Sequence, residues 1–158
     1  MRVAILYDPW LLSARGTLDL DGYRDDARGM TGSEQCAVRL AEELHAMGHT
    51  FALFTHGANV NGVIPWECRS QDNWDVAISI NCPDGLRAMK ARFKVVYALL
   101  NDWTFARCGF EQHVDLFASP SAPHLEQVMT NPAWRIVEAG AGRYEPDPTK
   151  WCVVPLGC

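Results

Sequence analysis

The stretch from Ala27 to Thr55, ARGMTGSEQCAVRLAEELHAMGHTFALFT, decides the fold that the sequence predicts. Apolar residues recur through its middle at steps of three and four, which is typical of the buried face of a helix. They are Ala37, Leu40, Ala41, Leu44 and Met47. Gly48 stands where a helix C′ residue belongs, and TFALFT (50–55) has the composition of a strand. Together with the apolar run RVAILY (2–7), this order predicts a strand, a long loop, a helix and a second strand.

The rest of the chain continues to alternate apolar runs with helical patterns. Further strands are predicted over 75–80, 94–100, 114–119 and 151–156, and an edge strand over 61–66, where Pro65 is poorly tolerated inside a sheet. A short helix is predicted over 84–92, and a second is capped by Ser121, with Leu125, Val128 and Met129 on one face. The alternation predicts one α/β domain over 1–158, a Rossmann-like parallel sheet with helices on both faces.

Composition narrows the classes of protein that fit. The chain has 158 residues, a net charge of −5 and a pI near 5.4, without a Lys/Arg-rich stretch, which argues against a nucleic-acid surface. Its six cysteines form no C-x-x-C pair, so a metal site has little support. The first residues do not resemble a secretory signal, and no apolar run approaches the ~20 residues of a membrane span. We therefore expect a cytoplasmic protein without a membrane partner.

The start of the first helix has two interpretations. Free N–H groups at Thr31, Gly32 and Ser33, together with the positive end of the helix dipole, favour a bound phosphate. A side chain at position 32 would hold such a ligand away. Alternatively, Thr31 and Glu34 only cap the helix, since they have capping-box spacing. Neither a G-x-G-x-x-G fingerprint nor a Walker A loop is present, so dinucleotide binding is not indicated.

Parallel sheets bind ligands at the carboxyl ends of their strands, near the reversal of strand order. By this rule, the loops that follow the predicted strands are the candidates for ligand binding. They are 8–33, 56–61, 81–84, 101–104 and 119–122. Most of the six tryptophans are expected to pack in the core or at its rim, whereas Trp10 and Trp103 lie on the predicted binding side and could stack on the face of a ligand.

The whole order of motifs resembles the N-terminal domain of retaining GT-B glycosyltransferases of the glycogen-synthase-like, glycosyltransferases-group-1 type. Thr-Gly-Ser-Glu (31–34) stands where that family has Gly-Gly-(Ser/Ala)-Glu or similar, and Met-Gly-His (47–49) matches its turn before strand two. Asn-Asp (101–102) replaces the frequent His-Asp or His-Gly at a strand end. ASPSAPHLEQV (118–128) and VVPLG (153–157) are similar to the later strand-to-helix segment and to the turn into the second domain.

The resemblance implies a nucleotide-sugar donor as substrate, without a resident cofactor or an obligatory metal. By analogy, Thr31, Gly32 and Ser33 would bind the donor diphosphate, and Asn101 and Asp102 would face the transferred sugar as candidate catalytic residues. Negative charge develops on the leaving diphosphate and positive charge at the anomeric carbon, so helix N–H donors and a nearby carboxylate suit the two ends. From the residues alone, without the family order, we expect Asn101 and Asp102 to form a strand-end turn whose side chains bond local backbone.

The family binds its acceptor, a carbohydrate or another small molecule, mainly through this domain. The candidate acceptor-binding residues are Trp10, Arg15, Arg24, Arg28 and Trp103. From the residues alone, a loop with the acidic and arginine residues of 15–28 is most often a solvated surface. The resemblance also implies that the donor-binding domain, with its Glu-x7-Glu motif, is absent from this chain, and that a second GT-B domain or a partner subunit completes the enzyme.

Two other classes of protein remain open at this point. A stand-alone or accessory binding domain would keep the fold without transfer activity of its own. A flavodoxin- or receiver-like module would need an acidic cluster or a flavin loop after the first strand, and Asp8 followed by Pro9 is thin support for either.

Overall fold

The computed structural model describes residues 1–7, 32–55, 63–65, 72–81, 83–99, 110–130 and 146–155. Its strands are β1 (Arg2–Tyr7), β2 (Thr50–Thr55), β3 (Val63–Pro65), β4 (Asn73–Ile80), β5 (Lys90–Tyr97), β6 (Leu116–Ser119) and β7 (Trp151–Val153). Its α-helices are α1 (Gly32–Ala46) and α2 (Ala122–Thr130). The described strands form one seven-stranded sheet in the order β3-β2-β1-β4-β5-β6-β7, and all six neighbouring pairs are parallel. The Rossmann-like α/β prediction is therefore confirmed.

Two apolar cores lie on opposite faces of the sheet, because successive side chains of a strand point to opposite faces. In β1, Val3 and Ile5 join the core that α1 covers, whereas Ala4 and Leu6 join the other core. All four side chains are fully buried, as expected for a central strand covered on both faces. The second core also receives α2 through Val128. Helices thus cover both faces, as the sequence predicted.

Helix α1 buries the face that its apolar spacing indicates, through Ala37, Ala41 and Leu44. It ends in a Schellman motif: the His49 N–H donates to the Leu44 carbonyl and the Gly48 N–H to the His45 carbonyl, both at 2.9 Å. Gly48 has φ 74°, the left-handed conformation that glycine adopts without a Cβ penalty. The prediction for Gly48 is confirmed.

The prediction that Met47 belongs to the buried face is wrong, since its side chain is 67% exposed. Helix α1 ends at Ala46, so Met47 lies in the turn that leads to Gly48 and no longer follows the helical spacing.

Helix α2 begins as its sequence predicts. The Ser121 hydroxyl accepts a hydrogen bond from the His124 N–H at 3.2 Å, which is the N-cap to N3 bond. Val128 is buried in the core, and Leu125 and Met129 pack against it. The predicted inward face is therefore confirmed.

Several predicted boundaries differ from the structure. Instead of a helix over 84–92, a 3-10 helix covers Pro83–Ala88, and β5 starts at Lys90 rather than at 94. The reason is strand pairing. Strand β4 begins at Asn73, which is paired with Lys90, so β5 begins earlier and has a basic residue at every second position from Lys90 to Lys94. Strands β6 and β7 are shorter than predicted, and β3 is an edge strand as expected for a segment that contains Pro65.

The strand order reverses between β1 and β4, which are neighbours in the sheet. The chain runs outward on one side through β2 and β3, and then on the other side through β4 to β7. The crevice at the carboxyl ends of β1 and β4 is the usual binding position in such sheets. Within the described residues, no helix has the length and apolar character needed to cross a membrane.

Candidate functional site

Asn81 marks the carboxyl end of β4, beside the point where the strand order reverses. Its φ of 58° makes it the only non-glycine residue with a positive φ among the described residues. Asparagine enters this left-handed region more readily than most residues, because its short polar side chain can hydrogen-bond locally. The backbone therefore turns sharply as it leaves the buried strand, and the amide is held at the edge of the sheet.

The side chain of Asn81 joins two segments that are distant in sequence. Its Nδ2 donates to the Ser33 hydroxyl at 2.9 Å, at the start of α1. Its Oδ1 accepts from the Leu99 N–H at 2.7 Å, just beyond β5. Its own backbone N–H donates to the Tyr97 carbonyl at 3.1 Å. One half-buried residue thus connects the N-terminus of α1 to the end of β5.

Gly32 and Ser33 begin α1 at this edge. Gly32 is exposed, and a Cβ added there would meet no atom of the described structure within 4 Å. Gly32 also lacks the positive φ that Gly48 shows, so the fold itself does not require glycine at this position. The first N–H groups of a helix have no partner within it, and they form the positive end of the helix dipole. This end of α1 can therefore accept an anionic group that approaches the backbone closely.

Cys36 and Tyr97 lie close to this edge, in the core under α1. Burial raises the pKa of the Cys36 thiol to about 11, which keeps it protonated at neutral pH. The pKa of Tyr97 is raised too, first by burial and then by the neighbouring Cys36. The Tyr97 hydroxyl donates to the Val154 carbonyl at 2.8 Å. Neither group carries the negative charge that would oppose an anion, and a protonated, half-buried thiol is not an activated nucleophile.

A buried pair, Ser119 and His124, lies further along the same edge. Ser119 Oγ and His124 Nδ1 are 2.6 Å apart, and the side chains are 0% and 8% exposed. The Ser119 hydroxyl also lies 3.1 Å from the Ser121 carbonyl, and the Ser119 carbonyl accepts from the Val154 N–H at 2.8 Å. These bonds join the end of β6 to the start of α2 and to the segment after β7. Because Ser119 is fully buried, the pair holds local structure together.

The structure describes only part of the predicted site. Gly32 and Ser33 lie at the predicted edge, with Ser33 bonded to Asn81. The other candidate residues lie outside the described residues: Thr31, Asn101, Asp102, Trp10, Arg15, Arg24, Arg28 and Trp103. Leu99, two residues before Asn101, is bonded to Asn81 as well. Two of the tryptophans that were expected to pack in the core, Trp74 and Trp151, are buried as predicted.

Sequence reasoning missed Asn81. The sequence did give a weak indication of its position, since Asn81 directly follows a buried strand and begins the candidate binding loop 81–84. A single sequence could not show that this loop contacts a helix start 48 residues earlier. Among the described residues, no group of three or more His, Cys, Asp or Glu side chains is arranged to hold a metal ion.

Comparison with known proteins supports the fold. No protein-family model matches the sequence, and no curated protein is significantly similar to it. Among solved structures, the chain is similar to an alpha-glucosyltransferase in complex with UDP-glucose and DNA containing an abasic site, with 15% identity and a TM-score of 0.54. The match covers 94% of this chain but only 43% of that chain, so the sequence spans less than half of its structural neighbour. The chain therefore shares a Rossmann-like fold with part of this structural neighbour.

Proposed function

We propose that this chain is the acceptor-side Rossmann-like domain of a retaining GT-B glycosyltransferase that uses a nucleotide-sugar donor. The observation that carries the proposal is the bond between Asn81 and Ser33. It brings the exposed start of α1 to the carboxyl end of β4, where the strand order reverses. A helix start at that position presents backbone N–H groups to a phosphate.

The structural neighbour supports the choice of substrate class. That protein is an alpha-glucosyltransferase, and its structure holds UDP-glucose. The motif order, from Thr-Gly-Ser-Glu (31–34) to the Pro-x-Gly turn (155–157), supports the group-1 type of GT-B enzyme. A nucleotide sugar is also consistent with the missing dinucleotide fingerprint, because a diphosphate at a helix start does not require one.

In the proposed reaction, the N–H groups at Gly32 and Ser33 stabilise negative charge on the leaving nucleoside diphosphate, with Thr31 at the same turn. The Asn101 amide hydrogen-bonds the transferred sugar, and the Asp102 carboxylate favours positive charge at the anomeric carbon. Such preorganised groups lower the barrier because they need little rearrangement as charge develops.

The acceptor is a carbohydrate or another small molecule, held by Trp10, Arg15, Arg24, Arg28 and Trp103. A second GT-B domain or a partner subunit supplies the remaining donor contacts. We propose no nucleic-acid partner for this chain, although the structural neighbour was solved with DNA, because its net charge is −5. No resident cofactor or metal belongs to the proposal.

The proposal is tested on the full-length protein with UDP-, GDP- and ADP-sugars and a panel of sugar acceptors. Release of the nucleoside diphosphate measures turnover, and the proton NMR coupling at the anomeric position of the product measures stereochemistry. We expect one nucleotide family to bind and to react with retention. Transfer with inversion would contradict the retaining assignment, and no binding of any nucleotide sugar would contradict the proposed substrate class.

The alternative is a stand-alone or accessory binding domain. It predicts saturable binding of a nucleotide or a sugar by the full-length protein without release of diphosphate in the presence of any acceptor. Replacing Asp102 with Ala or Asn separates the two functions, because only a transferase loses turnover while it retains binding.

A further inference from the structure

We infer that Asn81 is a positioning residue that holds the Ser33 hydroxyl as a hydrogen-bond donor toward the diphosphate of the donor nucleotide. This inference rests on the proposed function and extends it to a residue that the motif comparison does not include. Asn81 itself does not contact the ligand; it acts through Ser33.

The orientation of the Asn81 amide follows from its partners. A backbone N–H can only donate, so the atom that accepts from Leu99 at 2.7 Å is the amide oxygen. The amide nitrogen therefore faces the Ser33 hydroxyl at 2.9 Å and donates to it. Leu99 thus removes the ambiguity between nitrogen and oxygen that asparagine side chains usually carry.

The position of the Ser33 proton follows from this orientation. A serine hydroxyl has one proton and two lone pairs, and here one lone pair accepts from Asn81. The proton remains available to donate, and no acceptor for it is found within the described part of the chain. Phosphate oxygens only accept, so a fixed hydroxyl donor beside the first N–H groups of α1 complements a diphosphate.

The residue type at position 81 is restricted by two requirements. The φ of 58° favours asparagine, aspartate or glycine. Aspartate would still accept from the Leu99 N–H. Its second carboxylate oxygen, however, would accept a hydrogen bond from the Ser33 hydroxyl, so that proton could no longer be donated to a ligand. Glycine would keep the backbone conformation and remove both side-chain bonds. Of these three residue types, asparagine alone donates a hydrogen bond to the Ser33 hydroxyl, so the hydroxyl proton remains available to a ligand.

The experiment uses the full-length protein and four variants: Asn81→Gly, Asn81→Asp, Ser33→Ala and the double variant Asn81→Gly with Ser33→Ala. Calorimetric titrations with UDP, GDP and ADP first identify the preferred nucleotide, and the matching nucleoside serves as the uncharged control. Urea unfolding of each variant shows that it is folded at the temperature of the titration. Asn81→Asp is the variant that keeps both the Leu99 bond and the turn, so it provides a test if Asn81→Gly fails to fold.

We expect each single variant to bind the preferred diphosphate about 10-fold to 100-fold more weakly, as for the loss of one hydrogen bond to a charged group. Binding of the nucleoside stays unchanged. The double variant binds no more weakly than Ser33→Ala, because Asn81 acts through Ser33.

Three results would overturn the inference, and they distinguish a wrong role of Asn81 from a wrong proposed function. If the wild-type protein binds a nucleoside diphosphate and either Asn81 variant binds it equally well, only the role of Asn81 is wrong. The same holds if the losses of the single variants add in the double variant. If the wild-type protein binds none of the three diphosphates, the proposed function fails, and the role of Asn81 fails with it.

Discussion

The two edges of the sheet use their polar side chains in different ways. At the amino edge, carboxylates accept hydrogen bonds from the backbone of neighbouring strands: Asp75 accepts from the Arg2 N–H at the start of β1, and Asp115, just before β6, accepts from the Lys94 N–H in β5, both at 2.7 Å. At the carboxyl edge, the bonds of Asn81 and Ser33 involve uncharged and half-buried groups.

The difference indicates which edge is available for a ligand. The amino-edge carboxylates are already bonded to backbone N–H groups, so they hold neighbouring strands together. At the carboxyl edge, the first N–H groups of α1 have no partner within the helix, and the nearby Cys36 and Tyr97, whose pKa values are raised, are uncharged at neutral pH. Substitutions at the two edges should therefore separate ligand affinity from stability.

The largest expected effect is that of Gly32→Asp on nucleotide affinity. A carboxylate at the start of α1 would repel a diphosphate and block its close approach, so affinity for the preferred nucleoside diphosphate falls about 100-fold or more. The same charge interacts favourably with the helix dipole, and a Cβ at position 32 meets no described atom within 4 Å, so stability stays equal or rises by about 0.3–1 kcal/mol. Calorimetric titration and urea unfolding measure the two quantities.

Asp75→Asn is the matched control at the amino edge. It also changes one charge, but it should leave nucleotide affinity unchanged. Equal binding by the wild-type protein and by Gly32→Asp would remove the start of α1 from the binding site.

Ser119→Ala should lower the free energy of unfolding by about 1–3 kcal/mol, because it deletes a buried hydrogen bond to His124 Nδ1. Urea unfolding, followed by tryptophan fluorescence, measures the loss. Nucleotide affinity serves as the control, since the pair is assigned a structural role. A variant as stable as the wild-type protein would mean that this bond contributes no net stability.

Asp115→Ala should cost less, about 1 kcal/mol, because the bond from the Lys94 N–H is exposed and water can replace the lost acceptor. The same unfolding experiment tests the order of the two effects. If Asp115→Ala destabilised the protein more than Ser119→Ala, the stated contrast between an exposed and a buried bond would be wrong.

The smallest effect concerns pH. The pKa of Cys36 is about 11 in the folded protein against 9.0 for an ordinary thiol, so the folded state disfavours the thiolate. Its contribution to stability is complete below pH 9 and is lost as the pH rises toward 11. Unfolding of Cys36→Ala and of the wild-type protein between pH 8 and about 10.5 checks this prediction, since only the wild-type protein loses the contribution. Parallel losses in both proteins would contradict it.

The sequence predicted the fold well because local signals and long-range pairing agree in its first half. Strands β1 and β2 have the predicted limits, and the turn at Gly48 follows from the residue that a left-handed helix end requires. The start of β5 was missed because Lys90 and Arg92 are not typical of a strand, and only pairing with β4 makes them one. Tertiary contacts overrode propensity there.

The candidate site was predicted less completely for a physical reason. Ser33 lies in a local pattern, the capping box of Thr31 and Glu34 at the start of the first helix, so the sequence singled it out as a candidate. Asn81 had only a weak signal, its place directly after a buried strand, because its contacts with Ser33 and Leu99 exist only after the sheet has formed. Thr31, Asn101 and Asp102 stay predictions that rest on the motif order.

The most direct test of the central claim is hydrogen–deuterium exchange of the full-length protein with and without its preferred nucleoside diphosphate. The proposed site predicts slower exchange in peptides that cover the start of α1 and the segments after β4 and β5, around Ser33, Asn81 and Leu99. The amino edge, around Asp75 and Asp115, should be unchanged. Protection at the amino edge, or none at the start of α1 under saturating nucleotide, would contradict the account.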